Sequence, residues 1–398
     1  MVMQARDGRR PHAQPDSESG PVLVTCARSP PQIGGTPTVM YELLRHFPRG
    51  SAVLISKVQS ARHSEDNRRL DIEHHRVGRL SSLAYHSLFQ LVTIPLTLLS
   101  TMTIVHRMKA RPSSVLAVFP SLDLLAVSLV VSRLIRVPVF VYLHDCVLET
   151  AANPVERVLA GMVERWSVSH ARKVYSMSEP MEDYLRTRSM ETEALPHGVD
   201  VSLMREPAGS SDPAKVKLGF AGMVYETNLG AMRDFAEAKG QSCGKLEIHV
   251  RCPRQSLDLM RAAGVLDMFD SAETLARREE VLDFLAGCDV LVVPMSFESK
   301  MKKDLLTIFP TKVTDYWLAQ RPIVVYGPDE YAFVTKAARD GYAVAVTERG
   351  PEAILSALGT LGDSPDLRQK FVRAARDMAE KHDIKTISKR LMDDLGVS

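Results

Sequence analysis

The residues with the clearest chemical potential lie in one short unit, Ile308–Pro328, with the sequence IFPTKVTDYWLAQRPIVVYGP. Thr311 and Asp315 are four residues apart, so on a helix they share one face, with Lys312 beside them. A hydroxyl, an ammonium and the free N–H groups of a helix start suit the diphosphate of a nucleotide. The Asp315 carboxylate, one turn further on, suits the two hydroxyls of a ribose. The same pattern also fits a capped amphipathic helix whose lysine and aspartate are simply exposed.

The residues around this helix predict how it is held. Pro310 precedes the helix start, where a proline loses no intrahelical hydrogen bond, and Pro322 ends the helix. An apolar stripe on the opposite face predicts contact with a core; its members are Val313, Tyr316 and Trp317. A buried strand at Ile323–Tyr326 follows.

The rest of the chain alternates strands and helices, which predicts parallel α/β sheets. In the first half we predict strands at Val22–Thr25, Ala52–Ser56, around Ile72–His75, Val115–Phe119, Val137–Leu143 and Lys173–Ser176. Helices are predicted at Val39–Phe47, Leu83–Arg107, Leu122–Ile135, Pro154–Val168 and after Ser178. In the second half the predicted strands are Lys217–Ala221, Leu246–Val250, Met268–Ser271, Val290–Val293, Ile323–Tyr326 and Ala343–Val346. At 398 residues, the chain suits two domains with separate cores.

Two predicted strands are followed at once by residues that could contact a ligand. Open parallel sheets bind their ligands at the carboxyl ends of the strands. Gly34 and Gly35, after the first strand, let the backbone come close to a ligand, although glycine pairs also form ordinary turns. His144 could hydrogen-bond a sugar hydroxyl, and Asp145 could orient that sugar or serve an acceptor. The alternative for this pair is a polar turn.

The run FPTK..DYWLAQRPIVVYGP resembles the donor-site segment of group-1, family-4-like glycosyltransferases with the GT-B fold. In that family a Phe-Gly or Phe-Pro loop opens a helix whose acidic residue holds the nucleotide ribose. The resemblance covers most of Val22 to Leu361 and also rests on the Gly-Gly loop and the segment LPHGVD. It implies a set of donor-binding residues: Gly34, Gly35, His197, Gly198, Gly222, Phe309, Pro310, Thr311, Lys312 and Asp315.

The chain departs from the family pattern in its acidic residues. Family members carry a paired-glutamate motif, but Thr307 stands at the first position and Asp315 at the second. Glu298 or Asp304 could take the place of the missing acid. His197 also replaces the asparagine of the family segment Asn-Gly-Val-Asp.

A second departure concerns the cations that bind the diphosphate. Relatives carry an arginine and a lysine after the first strand of the second domain, where this chain has Met223 and Asn228. Phosphate charge must then be met elsewhere, by Lys312 or by a loop that carries Lys300, Lys302 and Lys303. For that loop, the simpler interpretation is a solvated charged segment.

The resemblance implies two Rossmann-like parallel-sheet domains facing each other across a cleft. We predict a disordered arm at residues 1–20, an acceptor domain at 21–204 and a linker at 205–214 that is rich in Pro, Ser and Gly. A nucleotide-sugar donor domain is predicted at 215–364. The C-terminal helices, 365–398, pack back on the first domain in the family.

The predicted function is transfer of a sugar from a UDP-, GDP- or dTDP-sugar to an acceptor hydroxyl. The resemblance implies retention of configuration, no metal and no bound cofactor; the acceptor is left open as a saccharide, a lipid-linked group or a small molecule. The predicted catalytic residues are His144, Asp145, Lys312 and Glu298. The alternatives are a non-catalytic GT-B scaffold that binds a partner and a nucleotide-sugar epimerase. No G-x-G-x-x-G follows Val22–Thr25 or Lys217–Ala221, which argues against a dinucleotide-dependent oxidoreductase.

Composition adds limits on partners and location. With 50 Lys and Arg against 48 Asp and Glu, the net charge of +2 argues against nucleic acid as the main partner. Five widely spaced cysteines, and no apolar core in the first twenty residues, predict reduced thiols in the cytoplasm. The apolar stretch Leu83–Val105 is interrupted by polar residues, which favours a buried or interfacial helix over a span. Because basic residues follow it, contact with the inner face of a membrane is an open alternative; they are His106, Arg107, Lys109 and Arg111.

Overall fold

The computed structural model describes residues 20–30, 32, 34–58, 70–78, 89–146, 148, 153–207, 214–274, 277–298 and 307–397. Several sequence predictions therefore lie outside the described residues. These are the arm apart from Gly20, residues 83–88 of the apolar stretch, most of the linker, and Lys300, Lys302, Lys303 and Asp304.

Within the described residues, the first half forms one sheet of seven parallel strands. They are β1 Val22–Cys26, β2 Ala52–Lys57, β3 Glu73–Val77, β4 Ser114–Phe119, β5 Val139–Leu143, β6 Lys173–Ser176 and β7 Glu193–Ala194. Their order across the sheet is β3-β2-β1-β4-β5-β6-β7. The strands β1, β2, β4 and β5 are buried throughout, because helices cover both faces of a parallel sheet.

The second half forms a sheet of six parallel strands among the described residues. They are β8 Val216–Ala221, β9 Leu246–Cys252, β10 Ser271–Thr274, β11 Val290–Pro294, β12 Ile323–Tyr326 and β13 Ala343–Val346. Their order is β10-β9-β8-β11-β12-β13. Each sheet changes direction of winding beside its first strand, which is where open α/β sheets place their ligand crevice.

The helices connect the strands and cover the sheets. In chain order they are α1 Gly35–Leu44, α2 Phe89–Arg107, α3 Leu122–Ile135, α4 Pro154–His170, α5 Glu179–Thr187, α6 Glu226–Gln241, α7 Arg254–Ala262, α8 Arg278–Ala286, α9 Lys312–Leu318, α10 Ala332–Arg339, α11 Pro351–Asp363, α12 Pro365–Lys381 and α13 Ile384–Leu395.

Most predicted elements are confirmed, with small shifts at their ends. Ser178 caps α5 as predicted, since its hydroxyl accepts a hydrogen bond from the Met181 N–H at 3.3 Å. The predicted strand Met268–Ser271 is misplaced, because residues up to Met268 form a short 3₁₀ turn and β10 begins only at Ser271. The two-residue strand β7 was missed, because two residues are too few to show a pattern.

The last two helices connect the two halves. Helix α12 packs on the core of the second sheet, while α13 buries Ile384, Ile387 and Leu391 in the core beneath β1 and α1. The chain crosses over beside Val199, whose N–H donates to the His382 carbonyl at 2.8 Å. The C-terminal helix therefore completes the core of the first half.

Helix α2 corresponds to the apolar stretch of the sequence. Its inner face is buried, and it packs against α3, which accounts for most of its apolar residues. Among the described residues, no helix is both long enough and apolar enough to cross a bilayer.

Candidate active site

The start of α1 and the start of α9 meet at the carboxyl ends of the two sheets. Gly34 has φ of +154°, a conformation that favours glycine, and it turns the chain from the β1 loop into α1. A Cβ on Gly35 would lie 3.8 Å from Cγ2 of Thr311. The glycine pair predicted from the first half thus lies against the loop and helix predicted from the second.

His144 lies beside this junction, directly after β5. Its side chain is buried, and Nδ1 is 3.0 Å from the hydroxyl of Thr36 in the first turn of α1. The Nε2 atom is buried and has no hydrogen-bond partner in the part of the chain that the structure describes. Burial lowers the pKa of His144 to about 3, so the imidazole is neutral. A buried, neutral ring nitrogen without a partner can accept or donate one hydrogen bond to a ligand hydroxyl.

Asp145, the next residue, reaches the surface of the cleft. Its side chain is accessible to solvent, yet burial by the surrounding cleft walls raises the pKa of its carboxyl to about 6, against the opposing effect of Arg28. Such a carboxyl exchanges its proton near neutral pH. The following residue, Cys146, has its thiol 3.6 Å from the hydroxyl of Thr307, so this loop also touches the segment before α9.

Lys312 is the first residue of α9 and is partly buried in the second half of the molecule. Its ammonium lies 4.3 Å from the centroid of the Phe220 ring and 3.5 Å from the Met223 carbonyl oxygen. Burial lowers the pKa of Lys312 to about 7. The sequence indicated an exposed lysine as the simple alternative; the structure instead shows a desolvated one at the end of β8.

Gly222 makes room for this lysine. Its φ is +134°, and a Cβ there would lie 3.1 Å from Cε of Lys312, so a larger residue would displace the side chain. Asn228, at the approximate position of the family lysine, has a different role: its side-chain oxygen accepts a hydrogen bond from the Tyr225 N–H at 2.9 Å. It caps α6 and is buried.

Helix α9 differs from the sequence prediction at its start. It has only seven residues, and the Thr311 side chain makes no capping hydrogen bond, so the helix is not capped by this threonine. A helix this short contributes little dipole, because few peptide units add to it. Its position is held from the other face, where the Tyr316 hydroxyl accepts from the Ala221 N–H at 3.1 Å and Trp317 is fully buried.

Asp315 lies one turn into α9 and is already engaged by a residue that the sequence did not single out. Its carboxylate accepts two hydrogen bonds from Arg278 at the start of α8, at 2.9 and 3.3 Å. The same guanidinium also bonds Glu42 on α1, which is 2% exposed in its side chain. Burial works to lower the pKa of Arg278, but Asp315 and Glu42 outweigh it and raise the pKa above its ordinary value.

This ion-pair network joins the two halves and continues along the first. Glu42 also binds Arg45 at 2.8 Å, and Arg45 binds Asp200 at 2.9 Å. The sequence did contain a signal for it, because Glu42 lies in the otherwise uncharged α1, and a buried carboxylate needs a cationic partner. The identity of that partner, 236 residues away, depended on the fold.

The segment around His197 lies at the crossover of the C-terminal helices. His197 is buried, and a Cβ on Gly198 would lie 2.6 Å from Cδ1 of Ile384 and 2.9 Å from its Cα. The glycine is therefore required for close packing against α13. The structure gives this residue a packing role, in addition to the donor role that the resemblance implied.

The remaining predicted residues are distributed around the junction. The ring of Phe309 packs between Trp317 and Phe333. The carbonyl of Pro310 accepts a hydrogen bond from the Val313 N–H at 2.9 Å. Glu298 has its carboxylate 3.7 Å from the position of a Cβ on Gly230, so it contacts α6. Among the described residues, no group of three or more His, Cys, Asp or Glu side chains is arranged to hold a metal ion.

The first half of the chain matches a known domain family in sequence. Residues 34–195 match the family model of the glycosyl transferase 4-like domain. No curated protein matches the chain in sequence.

Most of the chain is similar to solved structures. The crystal structure of Anabaena HepE in complex with UDP and glucose has a TM-score of 0.67 at 14% identity, over 95% of this chain and 99% of that chain. Sucrose-phosphate synthase from Thermosynechococcus elongatus has a TM-score of 0.69 at 12% identity, over 94% and 98%. The fold is GT-B. A UDP-N-acetylglucosamine 2-epimerase is similar as well, with a TM-score of 0.57 at 12% identity, over 96% and 98%. The GT-B fold and the domain match together support a glycosyltransferase.

Proposed function

We propose that the protein is a glycosyltransferase that moves a hexose from a nucleotide-sugar donor to an acceptor hydroxyl, with retention and without a metal. The observation that carries the proposal is the junction between the two halves. There, His144 bonds Thr36 next to Gly35 and its buried Nε2 has no partner among the described residues, while Gly35 contacts Thr311, the residue before the desolvated Lys312. HepE, which has the same fold, has been crystallised with UDP-glucose, and this supports a UDP-sugar as the first donor to test.

The proposed role of Lys312 is to bind the leaving diphosphate. A diphosphate next to the ammonium would favour its charged form, since an opposite charge offsets the cost of burial. Negative charge grows on the diphosphate as the glycosidic bond breaks, so a fixed cation stabilises the transition state more than the ground state.

The proposed role of His144 is to hydrogen-bond a hydroxyl of the donor sugar. Thr36 holds Nδ1, which orients the ring and leaves Nε2 for the ligand. Asp145, with its raised pKa, is placed beside it to orient the sugar or to exchange a proton with an acceptor. Glu298, which contacts α6, is the fourth residue of the proposed catalytic set.

The proposed ribose contact is Asp315. Its carboxylate has two oxygens, and the hydrogen bonds from Arg278 engage Oδ1. Arg278 then holds the carboxylate in place while a ribose hydroxyl is bound. The remaining donor contacts in the proposal come from the loop residues Gly34, Gly35, Gly222, Phe309, Pro310 and Thr311, and from His197 and Gly198.

The domain boundaries and the membrane contact belong to the same proposal. Residues 21–204 form the acceptor domain, 205–214 the linker and 215–364 the donor domain, with the C-terminal helices joining them. The acceptor is a saccharide, a lipid-linked group or a small molecule, and the first domain contacts the inner face of a membrane.

The first experiment measures the melting temperature with UDP, GDP and dTDP, and then hydrolysis and transfer of the matching sugars. We expect one nucleotide to raise the melting temperature, because a ligand that binds only the folded protein stabilises it by mass action. The anomeric configuration of the product, determined by NMR, tests retention. Full activity after extensive chelation tests metal independence.

A non-catalytic scaffold is the second candidate, and two observations favour it. Asn228 caps α6 where relatives carry a phosphate-binding lysine, and Asp315 is already paired with Arg278. The scaffold predicts no thermal shift with any nucleotide. A shift without hydrolysis or transfer, with all three sugars, would also favour it over an enzyme.

A further inference from the structure

The helices α2, α3 and α4 form one face of the first domain, and this face carries only positive charge at its surface. Helix α3 packs between the other two. Acidic residues in these helices are Asp123, Glu156 and Glu164, and all three are buried. The exposed charged or titratable side chains are all basic: His106, Arg107, Arg133, Arg157, Arg165 and His170. Because the whole chain is nearly neutral, this separation of charge is a local property of the face.

A cavity of about 360 Å³ opens at the edge of this face, beside the C-terminal ends of α3 and α4. It is lined by Arg133, Arg136 and Arg172, with Trp166 and His170 beside them. In the part of the chain that the structure describes, none of these three guanidinium groups makes a hydrogen bond or ion pair. Basic residues often lie at helix C-termini because the helix dipole favours them. That effect explains one arginine per helix end, but it does not explain three unpaired arginines around one cavity.

The same face exposes large apolar side chains. On α4, Val155, Val158 and Met162 follow a helical stripe and are 54, 63 and 58% exposed. On α2, Leu96 and Leu99 are also exposed, as is Leu134 at the end of α3. Single exposed apolar residues are ordinary on protein surfaces, whereas apolar groups on two helices that both pack against α3, with basic residues around them, mark an interaction surface.

We propose that the α2–α3–α4 face docks on an anionic phospholipid surface and that the arginine cavity binds a lipid phosphate. Arginine forks suit phosphate oxygens, and apolar stripes with basic surroundings suit the interface of a bilayer. A partly buried tryptophan beside the cavity suits the same interface. Charge complementarity thus selects an anionic membrane over a neutral one.

The position of the cavity relative to the cleft adds a functional consequence. The cavity is lined by Val139 at the start of β5, whereas His144 follows the end of the same strand. The cavity is therefore at the opposite end of the sheet from the candidate active site. A lipid phosphate bound in the cavity would therefore leave the cleft open to a nucleotide sugar.

This inference deepens the membrane contact of the proposed function, and it can fail independently of sugar transfer. The full-length protein is sedimented with phosphatidylcholine vesicles, with and without phosphatidylglycerol, at low and high salt. We expect binding to the anionic vesicles only, weakening as salt rises. In parallel, nucleotide-induced shifts of the melting temperature report the cleft separately.

The key variant is Arg133→Ala combined with Arg172→Ala. Arg136 is kept, because it is the left-handed residue, φ +54°, that ends α3. We expect the double variant to lower vesicle affinity roughly thirtyfold, the effect of two basic residues near an anionic surface. The matched control, Arg373→Ala with Arg376→Ala, removes the same charge from α12 and should leave binding within about twofold.

A local readout identifies which surface meets the lipid. The chain has two tryptophans, and Trp317 is buried in the second domain, so quenching by brominated lipid reports Trp166. Quenching on anionic vesicles supports the proposal. The proposal is overturned if the protein does not bind vesicles at low salt, if the control variant loses as much affinity as the double variant, or if binding occurs without quenching.

Two other results would assign the surface to a different occupant. If inorganic phosphate shifts the melting temperature through Arg133 and Arg172 while vesicles do not bind, the cavity serves a free phosphate. If Val158→Gln abolishes a dimer seen in solution, the face joins two copies of the chain.

Discussion

The two walls of the cleft present opposite kinds of polar groups. The first wall offers His144, a neutral ring whose Nε2 has no partner among the described residues. The second offers charged groups that are either desolvated, as Lys312 is, or paired, as Asp315 is with Arg278. A neutral group positions a ligand equally at any ordinary pH, whereas a desolvated cation gains its charge most readily when an anion arrives. The difference supports the proposal that the first wall orients the sugar and the second stabilises the diphosphate.

Arg278→Met tests the bond that holds the two walls together and should have the largest effect. It leaves the buried Glu42 with Arg45 as its remaining partner, so we expect a loss of about 3 kcal/mol in the free energy of unfolding, the low end for breaking a buried ion pair. Urea denaturation measures this loss. The neighbouring Arg277→Met, which removes only an exposed pair with Glu280, should cost less than about 0.5 kcal/mol. Equal effects of the two changes would show that the network does not hold the walls.

Lys312→Ala tests the second wall directly. We expect kcat to fall roughly a hundredfold, the scale of losing one preorganised charge at the reacting centre, with a smaller change in nucleotide affinity. Lys312→Arg should recover only part of the rate, because a guanidinium fork is not a compact ammonium. The exposed Lys215→Ala serves as control and should match the wild type. If Lys312→Ala transfers sugar at the wild-type rate, the diphosphate is bound by another cation.

His144→Ala tests the first wall. Loss of one hydrogen bond to the sugar should lower kcat/KM about tenfold for the sugar nucleotide and leave the affinity for the free nucleotide unchanged. Thr36→Val removes only the partner of Nδ1 and should reproduce part of the loss, since the ring is no longer held. Weaker binding of the free nucleotide would instead place His144 near the base or the phosphates.

The pH dependence of donor binding should also distinguish the two walls, and it is the smallest of the expected effects. The pKa of Lys312 in the free protein is about 7, so its charge is present below pH 7 and lost as pH rises. Binding of a nucleotide sugar, whose diphosphate does not titrate here, should weaken roughly fivefold from pH 7 to 9, the difference between a charged and a neutral hydrogen bond. His144 titrates near pH 3 and Asp145 near pH 6, so neither contributes in this window. A pH-independent affinity, or one that depends on pH equally in Lys312→Met, would contradict this assignment.

As the pH rises, the titration of Lys312 should strengthen the folded state, whereas it should weaken donor binding. An unfolded lysine keeps its ordinary pKa, above that of the folded state, so the unfolded chain binds more protons between those two values. The contribution of Lys312 to the free energy of unfolding therefore rises with pH above about 7. Lys312→Met should remove that slope.

Local sequence patterns were sufficient to predict features that depend on neighbouring residues, namely the strands, the helices and the loops at strand ends. The alternation of buried runs and helical patterns predicted the parallel sheets, and the strand-end positions of Gly34–Gly35 and His144–Asp145 placed them at the cleft. These signals work because parallel strands must be buried on both faces and must end at the same edge. A two-residue strand such as β7 shows no such pattern.

The sequence by itself determined the fold class, the position of the cleft loops and the identity of His144 and Lys312 as candidates, because each depends on residues close together in the chain. Only the tertiary structure decided what those residues contact. Arg278 joins Asp315 to Glu42, Gly198 meets Ile384, and Lys312 packs against Phe220 and Gly222. The charge state of the lysine and the pairing of the aspartate follow from burial and from partners tens to hundreds of residues away, which no local pattern specifies.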